Sequence, residues 1–501
     1  MSESVFHHFN VNNHHTALVA GDETISYSQL YEQVERFACG LLATRADLQE
    51  QSVAMFLPAS FEYVIAMHGI WRAGGIAVPL NVHSAVSELD HYLLTAQVKT
   101  LITSAQYLES LRPLADELGI ELVLVSEVLV SEVLPDGAGC ALPILDETRR
   151  AMMLFTSGTT NKPKGVVTTH GNVAAQITTL LAAWHWSGDD VIPLFLPLHH
   201  VHGIINVLNC ALASGATVYL YEGFDAEKIC QQVAANTFSV FMAVPTVYVK
   251  LLQYFDGLPK SQQEAIVAGF AQMRLNISGS AACPVKLFEQ WRQLTGQVLL
   301  ERYGMTEIGM GLSNPYDGER RAGHVGQPLP GVTLALFDEN NQIIESENTP
   351  GEIRLKSASV FLEYWQNPQA TAQSFVDGWF CTGDVAVLVD GYYRIMGRAS
   401  IDIIKSGGYK LSALEIEGAL LLHPSIKEVA VIGVEDETWG EKVVAFLVLN
   451  DGADELTLAA LKSWCDGRMS AYKIPKQLHI VESLPRNAMG KVTKPQLKSL
   501  V

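Results

Sequence analysis

The chain has 501 residues, 48% of them hydrophobic and 17% charged, which is ordinary globular composition and enough length for several cores. Its 34 lysines and arginines against 53 aspartates and glutamates leave a net charge of −19. That excludes nucleic acid and anionic membranes as default partners, so any anionic ligand must be met by individually placed basic side chains.

In chain order, the first residues carry no basic segment followed by an apolar core and no Arg-rich amphipathic pattern. A cytoplasmic protein is expected, with His7, His8, His14 and His15 in a mobile polar end. No apolar run reaches the roughly 18 residues of a membrane span. The seven cysteines show neither C-x-x-C nor metal spacing and read as reduced, mostly buried thiols. Residues 24–27 predict a strand, and Ser28 predicts the cap of a helix striped by Leu30, Val34, Phe37 and Leu41. Apolar runs at 53–57, 76–79, 100–103 and 121–125 alternate with helical patterns, which predicts an α/β fold with largely parallel sheets covered on both faces. The tandem L-V-S-E-V at 124–128 and 129–133 is too short for a solenoid unit and reads as a local duplication.

At residues 154–172 an apolar run enters a stretch of hydroxyls, glycines and lysines, then returns to β-branched residues. Thr156, Ser157, Gly158, Thr159, Thr160, Asn161, Lys162, Pro163 and Lys164 form a loop between two strands whose N–H groups, hydroxyls and lysines suit a polyphosphate. It is not a Walker-type loop, which needs G-x-x-x-x-G-K-[ST] opening a helix. The plain alternative is an exposed hairpin turn. Runs at 191–196, 216–221 and 238–243 predict strands ending where ligands gather in open α/β sheets. One of them leads into Pro197-Leu198-His199-His200-Val201-His202-Gly203, whose histidines lack zinc-spaced partners.

Further on, Ser278-Gly279-Ser280-Ala281 reads as a small-residue turn, and Tyr303-Gly304-Met305-Thr306-Glu307 as a strand ending in a carboxylate. Thr382-Gly383-Asp384 reads by itself as a turn carrying an aspartate. From about 325 short segments broken by proline and glycine predict a distorted barrel-like subdomain, and after Gly397 comes a compact α/β tail. Pro485-Arg486-Asn487-Ala488-Met489-Gly490-Lys491 frames a lysine in a turn near its end.

Together these motifs resemble the adenylate-forming superfamily of acyl-CoA synthetases, adenylation domains and luciferases. The departure is Asn161, where glycine is usual; asparagine tolerates a left-handed backbone. The resemblance implies a large domain over 1–398, a hinge at 399–402 and a small mobile domain over 403–501. It implies ATP held by residues 156–164, Ser280, Ala281, Tyr303, Gly304, Met305, Thr306, Asp384, Arg398 and Lys491, with Mg2+ on Glu307 and Thr156. Lys491, Thr156, Glu307 and His200 are the implied catalytic set. Lys491 stabilises the charge that develops as a carboxylate attacks the α-phosphate. Coenzyme A would pass Ser406, Gly407 and Gly408. At the hinge Ser400 stands where lysine or aspartate is usual, with Asp402 two residues on, so either residue could be the pivot.

The acyl site would use His200, Ser278 and Met305. Arg274 and Arg321, with Arg320 as a substitute, stand in segments similar to malonyl-CoA synthetases, where an arginine from each clamps a second carboxylate. The expectation is an ATP-dependent ligase of malonate, or methylmalonate, with coenzyme A. A monocarboxylate ligase and a nucleotide-binding protein without turnover are the alternatives. Structural ion pairs are the alternative for the arginines.

Overall fold

Ser26 decides where the first long helix begins. In the computed structural model of the chain, which describes residues 12–130, 141–156, 163–406, 409–453, 456–486 and 492–501, it caps the helix Tyr27–Leu42. Its hydroxyl accepts from the Gln29 N–H, and the Gln29 carboxamide accepts from the Ser26 N–H. Ser28, the expected cap, lies inside the helix, because Tyr27 turns inward and donates its hydroxyl to the Ala216 carbonyl at 2.6 Å. Leu30, Val34, Phe37 and Leu41 form the expected buried stripe. Phe37 presses so closely on the helix Phe61–Arg72 that a Cβ on Gly69 would lie 2.4 Å from its ring. His14 bonds the Ser28 hydroxyl and His15 the Gly215 carbonyl, while His7 and His8 lie outside the described residues.

Two parallel-rich sheets and a mixed one build the large unit. The seven-stranded sheet runs Glu363–Tyr364, Lys164–Thr169, Arg150–Thr156, Ile76–Pro79, Ser52–Phe56, Thr100–Thr103 and Glu121–Leu124. From Arg150–Thr156 outward to Glu121–Leu124 its ladders are parallel, as their continuous apolar runs predict. A four-stranded sheet holds Val191–Leu194 and Thr217–Leu220, and a five-stranded one holds Val240–Ala243, Leu275–Ser278 and Leu300–Met305. These last three pair in parallel, so their carboxyl ends converge on one edge. Trp71, Trp184 and Trp291 are fully buried in the shared core.

The region expected to be barrel-like is an antiparallel sheet ordered Thr333–Phe337, Gly351–Lys356, Trp379–Val389 and Phe375–Val376, with Tyr392–Arg398 also on Trp379–Val389. Its outer strand is bridged at Tyr393 to Gly326, beside Gln327–Pro328 of the five-stranded sheet. Beyond it a separate sheet of Tyr409–Ser412, Ile403–Ser406, Gly440–Leu449, Ile426–Asp436 and Gln477–Ile480 has its own core under the helix Ala413–Leu420. The described cysteines form no disulfide, and all but Cys381 are buried. No described helix is long and apolar enough to cross a membrane.

Candidate active site

Two antiparallel strands flank the loop singled out in the sequence. Arg150–Thr156 pairs with Lys164–Thr169 so that Thr156 faces Lys164, and the apolar runs on either side are buried strands. Ser157, Gly158, Thr159, Thr160, Asn161 and Lys162 lie outside the described residues, as do Gly407, Gly408 and Lys491. Tyr364 is the residue that ties this hairpin to the rest of the site. Its strand pairs with residues 166 and 167, which puts its ring 4.9 Å from Lys164 Nζ while its hydroxyl donates to Glu307 Oε1 at 2.9 Å. The Glu307 carbonyl in turn accepts the Phe361 N–H.

Burial raises the Glu307 carboxyl above the usual carboxylate range, and its bond from Tyr364 only partly offsets that. A buried carboxylate bonded to a neutral hydroxyl rather than to a basic side chain suits a divalent cation that draws its other oxygens from phosphates and water. Among the described residues no group of three histidine, cysteine or carboxylate side chains is placed to hold a metal by itself.

On the neighbouring edge, Tyr303 donates to Asp384 Oδ2 at 2.5 Å, and Arg398 Nε lies 3.0 Å from Asp384 Oδ1. Three motifs more than ninety residues apart at their extremes thus meet at one carboxylate. Gly383, at φ +72°, makes the turn that presents it, and Thr382 bonds the Ile353 carbonyl to fix the turn's base. Met305 begins a tight turn in which its carbonyl accepts the Ile308 N–H, carrying Thr306 over to Glu307. Gly304 cannot carry a side chain, since a Cβ would lie 2.0 Å from the Gly309 carbonyl oxygen.

The side expected to take the acyl group comprises residues 199–209. The His199 and His200 rings lie with centroids 4.2 Å apart and tilted by 53°, and the chain then enters the buried π-helix His202–Asn209, a geometry concentrated at functional sites. The wider turn is stabilised by Asn209, whose Nδ2 donates to the Ile204 carbonyl. His202 Nδ1 meets the Ser280 hydroxyl at 3.1 Å. Ser280 reaches it through a left-handed backbone (φ +66°), and Ala281 follows at the surface. Burial, with the Arg302 and His200 charges, holds His202 well below the usual imidazole range. The ring is therefore neutral.

Arg302, which sequence reasoning passed over, is the most informative side chain here. It is 4% exposed, and its Nε and Nη2 find no hydrogen-bond acceptor among the described residues. Gly279 makes room for it: a Cβ there would lie 2.5 Å from its Cζ and Nε. His202 Nε2 is likewise buried without a partner among the described residues. Burial lowers the guanidinium to a pKa of about 10, so it still carries its charge at neutral pH. A buried, charged, unbonded guanidinium beside a neutral imidazole is costly without a ligand, and an anionic group would satisfy both. The signal in the sequence was the pair Glu301-Arg302 interrupting an apolar strand just before Tyr303. Strand alternation sends them to opposite faces, Glu301 to the Gly323 N–H at 2.8 Å and Arg302 to Gly279.

The arginines expected to clamp a second carboxylate are engaged elsewhere. Arg274 gives Nε and Nη2 to the two oxygens of Asp190 at 2.7 and 2.6 Å and Nη1 to the Trp184 carbonyl. Asp190 is 2% exposed, so this bidentate pair braces the sheet edge and leaves Arg274 no fork for a substrate. Arg320 donates to the carbonyls of Pro315, Val298 and Tyr316. Arg321 bonds Glu319 and packs 4.0 Å from the Tyr392 ring at the rim of a surface recess. Arg274 and Arg321 are thus each paired with a carboxylate of the fold, Asp190 and Glu319.

In the small unit, Ser406 is buried at the end of its strand, paired with Tyr409 and Gly440. Asp402 accepts the Arg398 N–H at 3.0 Å across the segment expected to be the hinge. Ser400 is exposed.

Comparison with known proteins matches this geometry to a described group. Residues 5–365 match the AMP-binding enzyme family and residues 415–491 the AMP-binding enzyme C-terminal domain. A mitochondrial malonate–CoA ligase of Mus musculus is 43% identical over 94% of this chain and 86% of its own length. A malonate–CoA ligase of Arabidopsis thaliana is 38% identical over 95% of this chain and 81% of its own length. The crystal structure of ATP-bound MatB from Rhodopseudomonas palustris superposes with a TM-score of 0.89 at 32% identity, covering 100% of this chain and 99% of that one. The large unit with its hairpin and carboxylate edge, followed by the separate small unit, belongs to the AMP-binding enzyme family, whose adenylate-forming fold this chain adopts throughout its length.

Proposed function

We propose that the protein is an ATP-dependent malonate–CoA ligase, and the observation that carries this reading is the buried Arg302 guanidinium with no partner among the described residues beside neutral His202. One malonate carboxylate sits against that guanidinium, and His202 Nε2, a donor when Nδ1 accepts from Ser280, supplies a second bond. This neutralises one buried charge with one substrate charge, which a fatty or aryl acid cannot do. The other carboxylate is left toward the nucleotide.

Asp384, oriented by Tyr303 and Arg398, accepts from the ribose hydroxyls. Thr156, Lys164 and the loop between them hold the phosphates. Glu307 and Thr156 would hold Mg2+, which supplies charge neutralisation on phosphate oxygens when bound. The free carboxylate forms a bond to the α-phosphorus and the bond to pyrophosphate breaks, with Lys491 stabilising the charge that develops. In the second step the coenzyme A thiolate, entering past Ser406 and residues 407–408, bonds to the acyl carbon and AMP leaves. One cleft serves both steps if the small domain, 403–501, turns about residues 399–402 against the large domain, 1–398. The buried, unbridged cysteines support a reducing compartment such as the cytoplasm.

Pyrophosphate–ATP exchange with a panel of acids tests the reading. Malonate is expected to drive exchange, methylmalonate to follow it, and octanoate and benzoate to fail. Exchange driven by octanoate or benzoate would replace the dicarboxylate reading with a monocarboxylate one. No exchange with any acid would sink the enzyme reading itself.

A further inference from the structure

Two carboxylates and one ammonium are buried together where the interdomain segment meets the small unit. Lys494 Nζ lies 2.6 Å from Asp402 Oδ1 and 2.7 Å from Glu417 Oε1, and the three side chains are 9%, 13% and 14% exposed. Each carboxylate is also bonded to the fold. Glu417 Oε1 accepts the Val431 N–H at 2.7 Å, and Asp402 Oδ2 accepts the Arg398 N–H at 3.0 Å. The Asp402 carbonyl accepts the Ala413 N–H that opens the helix Ala413–Leu420. Burial opposes the charge on Lys494, but the two carboxylates outweigh it and hold the ammonium above its ordinary pKa. A buried ion group satisfied on every member is rigid, because moving one partner strands the others without water.

Lys494 stands three residues after Lys491 in the chain. The base of the loop carrying Lys491 is closed on both sides by described residues. Arg486 and Val492 form an antiparallel bridge, and the Thr493 N–H donates to the Pro485 carbonyl at 2.8 Å. Lys494 is the next residue and the first of the terminal helix Lys494–Lys498. By contrast, among the described residues few side-chain hydrogen bonds and ion pairs cross residues 399–401: Asp402 to the Arg398 N–H, Ser412 to the Met396 carbonyl, Arg394 with Glu415 at 4.0 Å, and Lys405 with Glu339 at 3.7 Å.

We propose that Lys494 is a positioning residue for adenylation: by pairing at once with Asp402 and Glu417 it locks the base of the Lys491 loop to the C-terminal end of the hinge. Asp402 then moves with the small domain as one body, and the pivot lies at residues 399–401, with exposed Ser400 at its centre. The lock places the loop base relative to the Asp384–Arg398 edge each time the small domain returns. This rests on the ligase reading, in which Lys491 acts in the first half-reaction and is withdrawn from the second.

The test measures both half-reactions on the full-length protein: malonate-dependent pyrophosphate–ATP exchange, and thioester formation from chemically prepared malonyl-adenylate and coenzyme A. Their ratio does not depend on the folded fraction. Lys494→Met is expected to lower the ratio of adenylation to thioester formation by about 10- to 100-fold, the scale on which a displaced catalytic group costs rate. Glu417→Gln, which keeps the Asp402–Lys494 pair, is expected to lower it about threefold, and Lys494→Arg to keep it within about twofold of the parent. If Lys494→Met does not fold, Glu417→Gln decides alone. A parent that exchanges with malonate while the variants keep its ratio overturns the positioning role. A parent that exchanges with no acid overturns the ligase reading and this inference with it.

Discussion

At the scale of single residues, the arginines separate bracing from recognition by what already occupies their nitrogens. Arg274 has its fork filled by a nearly inaccessible Asp190. Arg274→Met therefore leaves a buried carboxylate unpaired, at a cost of about 3–5 kcal/mol. The expected outcome is a clear drop in thermal midpoint, with the malonate KM of the protein that stays folded unchanged. Arg302 has Nε and Nη2 open among the described residues. Arg302→Met is expected to lower kcat/KM for malonate by about 10²- to 10³-fold while the KM for ATP stays within about twofold. Steady-state kinetics of both variants, read beside thermal melts, test the assignment: equal kinetic losses, or a loss confined to Arg274→Met, would reverse it. Both arginines stand in the sequence beside apolar strands, and neither spacing nor composition tells which one the fold has paired.

At the scale of elements, the site is an edge where strand ends and turns meet, and glycines set how closely they approach. Gly279 follows the strand Leu275–Ser278 and lies against Arg302 on the adjacent strand. A methyl group there must displace the guanidinium, the softer of the two neighbours. Gly279→Ala should thus mimic part of the Arg302 loss, raising the malonate KM by about tenfold with little change in the melting curve. An unchanged malonate KM would show that the guanidinium does not need its place beside residues 278–280. The strands at 52–56, 76–79 and 100–103 were legible within a residue or so, because a strand buried on both faces must be apolar throughout. The first helix cap was misplaced by two residues, since Ser26 and Ser28 are equivalent in local chemistry. Only the inward turn of Tyr27 toward Ala216 chooses between them. The barrel-like expectation came from proline and glycine spacing, which marks strand ends; that Tyr393 on the outer strand bridges to Gly326 is decided by the fold.

At the scale of the whole molecule, one buried carboxyl gives stability a pH dependence. Burial raises Glu301 from 4.5 to about 8, with the Gly323 N–H opposing, so the folded protein keeps a proton that the unfolded chain releases. Its contribution is fully present below the unfolded pKa and is lost as pH rises through the interval up to about 8. Within that interval it falls by about 1.4 kcal/mol per pH unit. Glu301→Gln cannot ionise, and its thermal midpoint is expected to decline less than the parent's between about pH 5 and about pH 8. Parallel melting-temperature profiles would refute the assignment. The same edge of the molecule thus carries a proton-holding carboxyl on one face of a strand and an anion-seeking guanidinium on the other.

What the sequence determined by itself is the kinship: Thr156, Glu307 and Asp384 stand in motifs that together resemble those of adenylate-forming enzymes, and the AMP-binding family match over residues 5–365 spans the first two. Their spacing is local, so it survives without knowledge of the fold. The tertiary structure alone decided the partners. It placed Tyr364 between Lys164 and Glu307, gave Arg274 to Asp190 and left Arg302 facing His202. Pairing of side chains distant in sequence depends on which strands lie side by side and which face each residue takes. A single sequence states a residue's charge but not whether the fold has already neutralised it.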